Sequence, residues 1–276
     1  MSFAERYGPW AVVAGASEGT GRSFARAIAA RGLPSLLIAN GGPLDETATE
    51  IRRDFGVDCR TALIDLSRPE AFAEIAGAVG GAEVGLYVAN AGADPHGSRF
   101  HDRAVADWLE LVRINVVTTL QSCHYFGDLM RERRRGGLLL VNSGACYGGC
   151  GSLAIYTATK AFQLNLAESL WSELRPYGVD VLTLVLGQTD TPAYHRLQAK
   201  KGMPSGPNLA SSEAVAEVGL ERLSHGPVCN WDLADDSAGY LPVSAAVRRE
   251  RVVIMDAALE RVFGRTPGPG PAGGEA

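Results

Sequence analysis

The feature of this chain that most constrains its fold is an alternation of short apolar runs with longer segments of helical character. The runs have the length and composition of buried strands, and they lie near 10–14, 35–39, 59–64, 84–89, 137–142 and 179–186. Helical periodicity occupies the stretches between them, around 20–31, 43–55, 68–79, 103–134 and 154–176. Strands and helices that alternate in this way pair in parallel through right-handed crossovers. We therefore predict an α/β fold, with a doubly wound parallel β-sheet flanked by helices on both faces.

The loop that follows the first apolar run is rich in glycine. The run at 10–14 leads directly into Gly15, Gly19 and Gly21, and a helical segment follows. Glycine at these points permits a tight turn and lets a pyrophosphate approach the N–H groups at the helix N-terminus. One glycine-rich turn is weak evidence in a chain with 33 glycines, but its position after the first strand indicates a nucleotide-binding loop.

Tyr156 and Lys160 are four positions apart in a segment of helical character, and Ser143 lies upstream at the end of an apolar run. The spacing of four places phenol and ammonium on one face of a helix, where the cation favours phenolate over phenol. This is a way to make a general acid/base from tyrosine. An ordinary amphipathic helix would give the same pair, so the interpretation depends on independent motifs.

Length and composition predict one domain, which we assign to residues 1–264. A chain of 276 residues with 46% hydrophobic residues can bury one large core. Residues 265–276 have too few apolar side chains to offset their ordering entropy, and we expect a disordered tail. Residues 187–212 are rich in Pro and Gly, which favours a mobile loop or broken helices, and we expect this segment to cover the substrate.

Charge and patterning argue against several classes of protein. A formal net charge of -5 disfavours a nucleic-acid partner. No apolar stretch reaches the roughly 20 residues that span a bilayer, which favours a soluble cytoplasmic protein without a membrane partner. The five cysteines lack paired CxxC spacing and the five histidines form no ligand pair. We expect free, mostly buried thiols and no metal site.

Five motifs occur in one order along residues 10–192: the three glycines, Asn90-Ala91-Gly92, Asn115, Ser143, and Tyr156 with Lys160. In these residues the chain resembles the short-chain dehydrogenase/reductase family. The resemblance implies a Rossmann-like, NAD(P)-dependent oxidoreductase that interconverts a ketone and a secondary alcohol. It also implies a homotetramer or homodimer that pairs the helices predicted at 103–134 and 154–176.

The resemblance assigns catalytic roles to four residues. Tyr156 would exchange a proton with the substrate oxygen, and Lys160 with the oxidised nicotinamide would lower the pKa of Tyr156 from its usual value of about 10. Lys160 would also bond the nicotinamide ribose. Ser143 would hold the substrate oxygen, and Asn115 would support a water chain from Lys160. Ser143 could instead be a strand-end hydroxyl bonded to backbone, and Asn115 an ordinary polar residue of a helix.

The same resemblance implies which residues bind the cofactor. They are Gly15, Ser17, Gly19, Thr20, Gly21, Asn40, Asp65, Leu66, Asn90, Ala91, Gly92, Tyr156, Lys160, Gly187, Thr189 and Thr191. Among them, Asp65 with Leu66 would face the adenine. Asp65 could equally cap the helix that follows it.

The choice between NAD and NADP depends on the end of the second strand. The sequence there is Asn40-Gly41-Gly42, without a carboxylate for a ribose hydroxyl or a guanidinium for a 2′-phosphate. Glu18 should repel a phosphate, and Arg22 is the cation of the glycine-rich loop. We favour NAD(H), with NADP(H) possible.

The substrate is not written in a motif, and we expect a small molecule with an apolar or cyclic skeleton. Candidate pocket residues are Cys146, Tyr147, Leu153 and the stretch 194–203, all of which could equally be core. A 3-oxoacyl-carrier-protein reductase is an alternative, with Arg196, Lys200 and Lys201 as a docking patch for the acidic carrier. A non-catalytic nucleotide-binding regulatory protein is a third.

Overall fold

The computed structural model describes residues 1–206, 208–231 and 254. Its strands are β1 (Trp10–Ala14), β2 (Ser35–Ala39), β3 (Cys59–Leu63), β4 (Val84–Ala89), β5 (Gly136–Ser143), β6 (Val179–Leu186), β7 (Thr189–Asp190), β8 (Ala210–Ser211) and β9 (Val228–Asn230). Within the described residues, seven of them form one parallel sheet in the order β3-β2-β1-β4-β5-β6-β9. β7 and β8 pair in parallel as a separate two-stranded sheet.

Helices connect these strands. They are α1 (Phe3–Tyr7), α2 (Gly19–Ala30), α3 (Leu44–Phe55), α4 (Ala71–Val79), α5 (Val105–Val112), α6 (Thr119–Arg133), α7 (Ala154–Leu174), α8 (Pro192–Lys201) and α9 (Ser212–Arg222). A π-helical segment, Arg113–Thr118, joins α5 to α6. Short 3₁₀ turns lie at Phe100–Asp102, Gly144–Tyr147, Arg175–Tyr177 and Leu223–His225.

Successive residues of each strand point to opposite faces of the sheet, and both faces are buried. On β1, Val13 packs into a cluster with Phe24 of α2 and Leu184 of β6. Its neighbour Val12 packs into the second cluster, on the opposite face, with Phe126 of α6. Apolar residues at consecutive positions of a strand are what a sheet covered on both sides requires. The predicted α/β, doubly wound, Rossmann-like fold is therefore confirmed.

The strand order places a crevice beside β1. β1 pairs with β2 on one side and β4 on the other, so the chain changes its direction of travel across the sheet at this point. In open α/β sheets, ligands bind outside the carboxyl ends of the strands at such a reversal. The carboxyl ends of β1, β4, β5 and β6 lie on the same edge because all four strands are parallel.

Three features differ from the sequence prediction. The strand β9 was not predicted, because three residues are too short to give a periodic signal. The helix predicted at 103–134 is interrupted by the π-helical segment. Residues 187–212 hold α8 and the β7–β8 pair, which corresponds to the broken-helix alternative for this segment. The predicted tail at 265–276 lies outside the described residues.

Two further observations concern the predicted compartment and thiols. Across the described part of the chain, no helix combines the length and the apolar character needed to cross a bilayer. All five cysteines, which lie in the described residues, are buried and none is in a disulfide bond, which confirms the prediction of buried thiols.

Candidate active site

A cleft of ≈ 760 Å³ lies at the carboxyl ends of the central strands. The glycine-rich loop after β1 forms one end, and β5, β6 and α7 form its floor. Its lining includes Gly15, Ser17, Glu18, Gly19, Thr20, Asn90, Ala91, Gly92, Asp94, Asn142, Ser143, Leu153, Tyr156, Lys160, Leu186, Gly187, Gln188, Thr189, Thr191, Tyr194, Arg196, Leu197, Gln198 and Lys200. Most of the residues predicted from the sequence therefore border one cavity.

The glycine-rich loop has the geometry of a pyrophosphate site. Gly15 has φ +83°, and a Cβ on Gly21 would lie 1.9 Å from the Gly15 carbonyl oxygen, so neither position admits a side chain without rearrangement. Asn90 Nδ2 donates to that same carbonyl at 2.9 Å, which fixes the loop against β4. The N-cap residue of α2, Glu18, makes no side-chain capping bond, so its first N–H groups remain available for an anion.

Tyr156 and Ser143 meet at the floor of the cleft, where α7 crosses the end of β5. Burial raises the pKa of Tyr156 to about 12, and a hydrogen bond from Ser143 opposes this rise. The negative charge of Asp94 raises the pKa further. Ser143 Oγ also accepts from the Ala145 backbone N–H at 3.3 Å, so the strand-end interpretation of Ser143 holds beside the catalytic one.

Lys160 is buried beside Tyr156, with 3% of its surface exposed. Its ammonium donates to the Val141 carbonyl and to Gln163 Oε1, each at 3.0 Å, and it lies 5.8 Å from the centre of the Tyr156 ring. Burial lowers the pKa of Lys160 to about 8. The group is therefore still mainly charged at pH 7.

Within the protein, burial and the charge of Asp94 favour the neutral phenol of Tyr156, and Ser143 favours the phenolate. That Lys160 and the oxidised nicotinamide lower the pKa of Tyr156 stays a prediction.

Asn115 lies beneath the cleft, fully buried in the π-helical segment. Its Nδ2 donates to Thr159 Oγ1 at 2.9 Å, and its backbone carbonyl accepts from Gln163 Nε2 at 2.9 Å. A Cβ on Gly92 would lie 1.7 Å from Asn115 Oδ1, so this close approach requires glycine. The π-helical segment is a local perturbation of the helix at Asn115. The Gln163 amide joins Lys160 to the Asn115 carbonyl, and the water chain from Lys160 stays a prediction.

Among the described residues, four of those predicted to bind the cofactor do not line the cleft. Gly21 acts through the loop geometry above. Asn40 is exposed, in the loop where a Cβ on Gly42 would lie 3.1 Å from Ser17 Cβ. Asp65 Oδ1 accepts from Ser67 N at 2.9 Å and from Ser67 Oγ at 2.7 Å, which closes a turn. The alternative that Asp65 caps the following helix is wrong, because Glu70 lies at the N-cap of α4. The Leu66 carbonyl accepts from Thr118 Oγ1.

The substrate segment, residues 187–212, lies along the open side of the cleft. The Thr191 hydroxyl caps α8 by accepting from Tyr194 N at 3.2 Å. Arg196 forms a bidentate ion pair with Glu18, which connects α8 to the glycine-rich loop. Lys201 Nζ donates to the Gly97 carbonyl at 3.0 Å. Two of the three cations proposed as a carrier docking patch are thus already bonded within the chain.

Sequence reasoning missed two polar residues of the site. Gln163 follows Lys160 by three positions, a helical spacing that could have pointed to it. Asp94 borders the cleft but belongs to no motif, whereas Gln198, which also borders it, lies in the predicted pocket stretch 194–203. Of the apolar pocket candidates, Leu153 lines the cleft, whereas the Tyr147 hydroxyl donates to Asn230 Oδ1 at 2.6 Å.

Comparison with known proteins places the chain among relatives of one kind. It is 31% identical over 225 residues to a very-long-chain 3-oxoacyl-CoA reductase-like protein of Arabidopsis thaliana, covering 78% of this chain and 72% of that protein. It is 30% identical over 221 residues to a 7beta-hydroxysteroid dehydrogenase of Collinsella aerofaciens, covering 80% of this chain and 81% of that protein.

Structural comparison and a family model agree with these relatives. A solved structure from a study of 7beta-hydroxysteroid dehydrogenase stereoselectivity matches with a TM-score of 0.76 at 27% identity, over 83% of this chain and 90% of that chain. A family model described as short chain dehydrogenase matches residues 9–202. The chain therefore belongs to the short-chain dehydrogenase family and is an NAD(P)-dependent oxidoreductase.

Proposed function

We propose that the enzyme interconverts a ketone and a secondary alcohol on an apolar or cyclic skeleton, with Tyr156 as the general acid/base. The observation that carries this proposal is that Ser143, Tyr156 and Lys160 line one cleft, with the Lys160 ammonium 5.8 Å from the centre of the Tyr156 ring. A phenol and a hydroxyl that converge on one point can both donate to a carbonyl oxygen.

Each residue then has a distinct task. When bound, the nicotinamide supplies a hydride to the carbonyl carbon or accepts one from the alcohol. Ser143 holds the substrate oxygen by donating a hydrogen bond, and Tyr156 delivers its proton to that oxygen during reduction. The raised pKa of Tyr156 keeps the proton on the phenol across neutral pH, which suits the acid role. Lys160, positioned by Val141 and Gln163, has an N–H left for the cofactor ribose.

The lining supports an apolar substrate of moderate size. Leu153, Leu186 and Leu197 border the cleft near the Tyr156 end of the floor. The similarity to 7beta-hydroxysteroid dehydrogenases agrees with a cyclic skeleton.

Reduction of a 3-oxoacyl thioester is the second candidate, because a reductase-like relative of that kind is 31% identical to this chain. The docking patch that a carrier protein would need is weak, since Arg196 is paired with Glu18 and Lys201 with a backbone carbonyl. A non-catalytic nucleotide-binding protein is the third candidate. The second and third candidates each predict a result in the assay below that differs from that of the proposed function.

For the cofactor, we propose a preference for NAD(H) over NADP(H). The loop Asn40-Gly41-Gly42 offers no cationic side chain to a 2′-phosphate. The guanidinium of Arg22 is held by Glu50 at 2.5 Å, on α3. NADP(H) is the alternative, because the pairing of Glu18 with Arg196 reduces the repulsion of a phosphate by Glu18.

The test combines cofactor binding with turnover. Purified protein is titrated with NADH and NADPH by fluorescence, and a panel of cyclic ketones, open-chain ketones and 3-oxoacyl thioesters is assayed with each. Tyr156→Phe is expected to bind the cofactor like wild type and to lose a factor of about 10² or more in kcat. Tyr147→Phe removes the same atom from a tyrosine whose hydroxyl bonds Asn230, and it is the matched control.

The outcomes separate the candidates. Turnover of cyclic ketones that depends on Tyr156 supports the proposal, and turnover restricted to thioesters supports the second candidate. Cofactor binding with turnover equal in wild type and Tyr156→Phe would contradict the acid/base assignment. A higher kcat/KM with NADPH than with NADH would overturn the proposed cofactor preference.

A further inference from the structure

Two polar side chains at the cleft are buried yet lack partners for some of their atoms. Asp94 is 8% exposed and Gln198 is 2% exposed. Among the described residues, nothing hydrogen-bonds Asp94 Oδ2 or either amide atom of Gln198. Both side chains border the cleft, one from the loop after β4 and the other from α8. Buried polar groups nearly always have a hydrogen-bond partner. Two side chains that lack partners at the same cavity therefore point to a ligand that supplies the missing hydrogen bonds.

The carboxylate of Asp94 is held so that only one oxygen is left for a ligand. Asp94 Oδ1 accepts from His96 N at 2.7 Å and from Gly97 N at 3.3 Å, which closes a turn in its own loop. Oδ2 is not needed for that turn. Asp94 is also close enough to the phenol of Tyr156 for its charge to raise the phenol's pKa. It therefore stands near the reacting end of the cleft.

Gln198 lies on α8, whose C-terminal end contacts the loop that carries Asp94. Lys201, three residues further along α8 and on the same helical face, donates to the Gly97 carbonyl at 3.0 Å. Asp94 thus has an unbonded acceptor at the cleft, and Gln198 has an unbonded donor and an unbonded acceptor.

We propose that Asp94 and Gln198 form a subsite for a second hydroxyl of the substrate, away from the carbon that is oxidised or reduced. The inference rests on the proposed function and narrows its substrate class to hydroxyketones and the corresponding diols. A group that bonds Asp94 Oδ2 must donate a hydrogen, which excludes ethers, ketones and carboxylates. An ammonium group would be repelled by the nearby Lys201 cation. A hydroxyl donates to Asp94 and accepts from Gln198 without this charge repulsion. The acyl chain of a 3-oxoacyl thioester has no such donor.

The experiment compares matched pairs of ketones that differ by one hydroxyl. The pairs are cyclohexanone with 4-hydroxycyclohexanone, and a steroid monoketone with its hydroxylated counterparts. Wild type is expected to favour the hydroxylated member by about tenfold or more in kcat/KM, because a site built to bond a hydroxyl leaves its own groups unpaired with the analogue that lacks it.

Two variants test the residues. Asp94→Asn keeps an oxygen for the two loop bonds and replaces the free acceptor with a donor, and Gln198→Leu keeps the side-chain volume and removes both amide atoms. Each should reduce this preference, measured as the ratio of the two kcat/KM values, to within about threefold of unity. Both members of a pair undergo the same chemical step. Any effect of Asp94 on the pKa of Tyr156 therefore cancels in the ratio of their kcat/KM values. Ala199→Leu, an exposed position on α8, is the control and should keep the wild-type ratio.

The readouts distinguish this inference from the proposed function. The subsite proposal is overturned if wild type turns over both members equally, or if both variants keep the preference for the hydroxylated member. In either case the ketone activity itself still stands. If neither member is turned over, binding of each to the protein with cofactor is measured by calorimetry. Tighter binding of the hydroxyketone that is lost in Asp94→Asn still supports the subsite, and equal or absent binding overturns it.

Discussion

Lys160 shows how single residues set the chemistry of this site. Two of its three ammonium hydrogens are engaged, one by the Val141 carbonyl and one by Gln163 Oε1. The same Gln163 amide donates to the Asn115 carbonyl in the π-helical segment. One buried amide therefore satisfies a charged donor and a backbone acceptor, and leaves the third hydrogen of Lys160 for the cleft. Gln163 is thus a positioning residue that acts through Lys160.

Replacing Gln163 should uncouple these two groups. Gln163→Leu leaves the Lys160 ammonium and the Asn115 carbonyl each short of one bond, at a cost of about 1–3 kcal/mol in the free energy of unfolding. We expect kcat to fall by about tenfold or more and the pH profile limb that reports Lys160 to move to lower pH. Gln163→Glu restores the acceptor for Lys160 and should recover part of kcat.

Urea unfolding and the pH dependence of kcat measure these effects. Asn165→Leu, at an exposed position on the same helix, is the control and should change neither. A Gln163→Leu enzyme that is less stable but has an unchanged pH profile would show that Gln163 has only a structural role.

The pKa of Tyr156 gives a second prediction at this scale. Alcohol oxidation needs the phenolate, so its rate rises with pH until the pKa of Tyr156 in the complex is passed. Ser143 lowers this pKa and Asp94 raises it. Ser143→Ala should therefore shift the rising limb to higher pH, and Asp94→Asn should shift it to lower pH. Below the pKa, the oxidation rate should change about tenfold for each pH unit by which the limb shifts. The measurement is the pH profile of kcat/KM for oxidation, and shifts in the same direction would contradict the assignment.

Among the secondary-structure elements, α8 has the most direct control over access to the cleft. Its Arg196 pairs with Glu18, 178 residues away in sequence, at the start of α2. Lys201 anchors its other end to Gly97. The helix therefore borders the cleft and contacts both the pyrophosphate loop and the loop after β4, and we expect it to move when the cofactor exchanges.

Breaking the Arg196–Glu18 pair should speed that exchange. Both side chains are partly exposed, so the pair adds at most about 1 kcal/mol to the free energy of unfolding. We expect Arg196→Gln to raise the cofactor dissociation rate several-fold at low salt, with a smaller effect as salt screens the pair. Stopped-flow measurements on Arg196→Gln, Glu18→Gln and the double variant form a cycle. Additive effects in the cycle would show that the pair does not act as a latch.

The whole molecule presents an apolar surface along α5, the π-helical segment and α6. Leu109, Val117 and Leu120 are each more than two-fifths exposed there. On the second helix predicted to pair in the assembly, at 154–176, Leu170 and Trp171 instead pack against the buried cluster beneath α7. The exposed leucines are therefore the better candidates for a contact between subunits.

A homodimer or homotetramer should depend on this surface. Leu109→Glu combined with Leu120→Glu places charge in the contact and should raise the dissociation constant of the assembly by at least about tenfold. Sedimentation at micromolar concentration measures the mass, with circular dichroism to confirm the fold. Leu63→Glu, on the exposed edge strand β3, is the matched control. A monomeric wild type would contradict the predicted assembly.

The sequence by itself determined the features that depend on local spacing. Alternating apolar and helical periods gave the parallel sheet, because burial on both faces demands those patterns. Tyr156 and Lys160 share a face because four residues make about one helical turn. Gly15 and Gly21 could be recognised as a turn before its shape was known.

The tertiary structure decided the contacts between distant segments. Gln163 reaches Asn115 across 48 positions, and Arg196 reaches Glu18 across 178. Neither contact leaves a periodic signal, because each arises when packed elements bring otherwise ordinary polar residues together. The same holds for Asp94, whose charge acts on Tyr156 because the loop after β4 and α7 border the same cleft. The chemical type of each side chain could be read from the sequence. Which residue each side chain contacts depended on how the sheet and its helices pack.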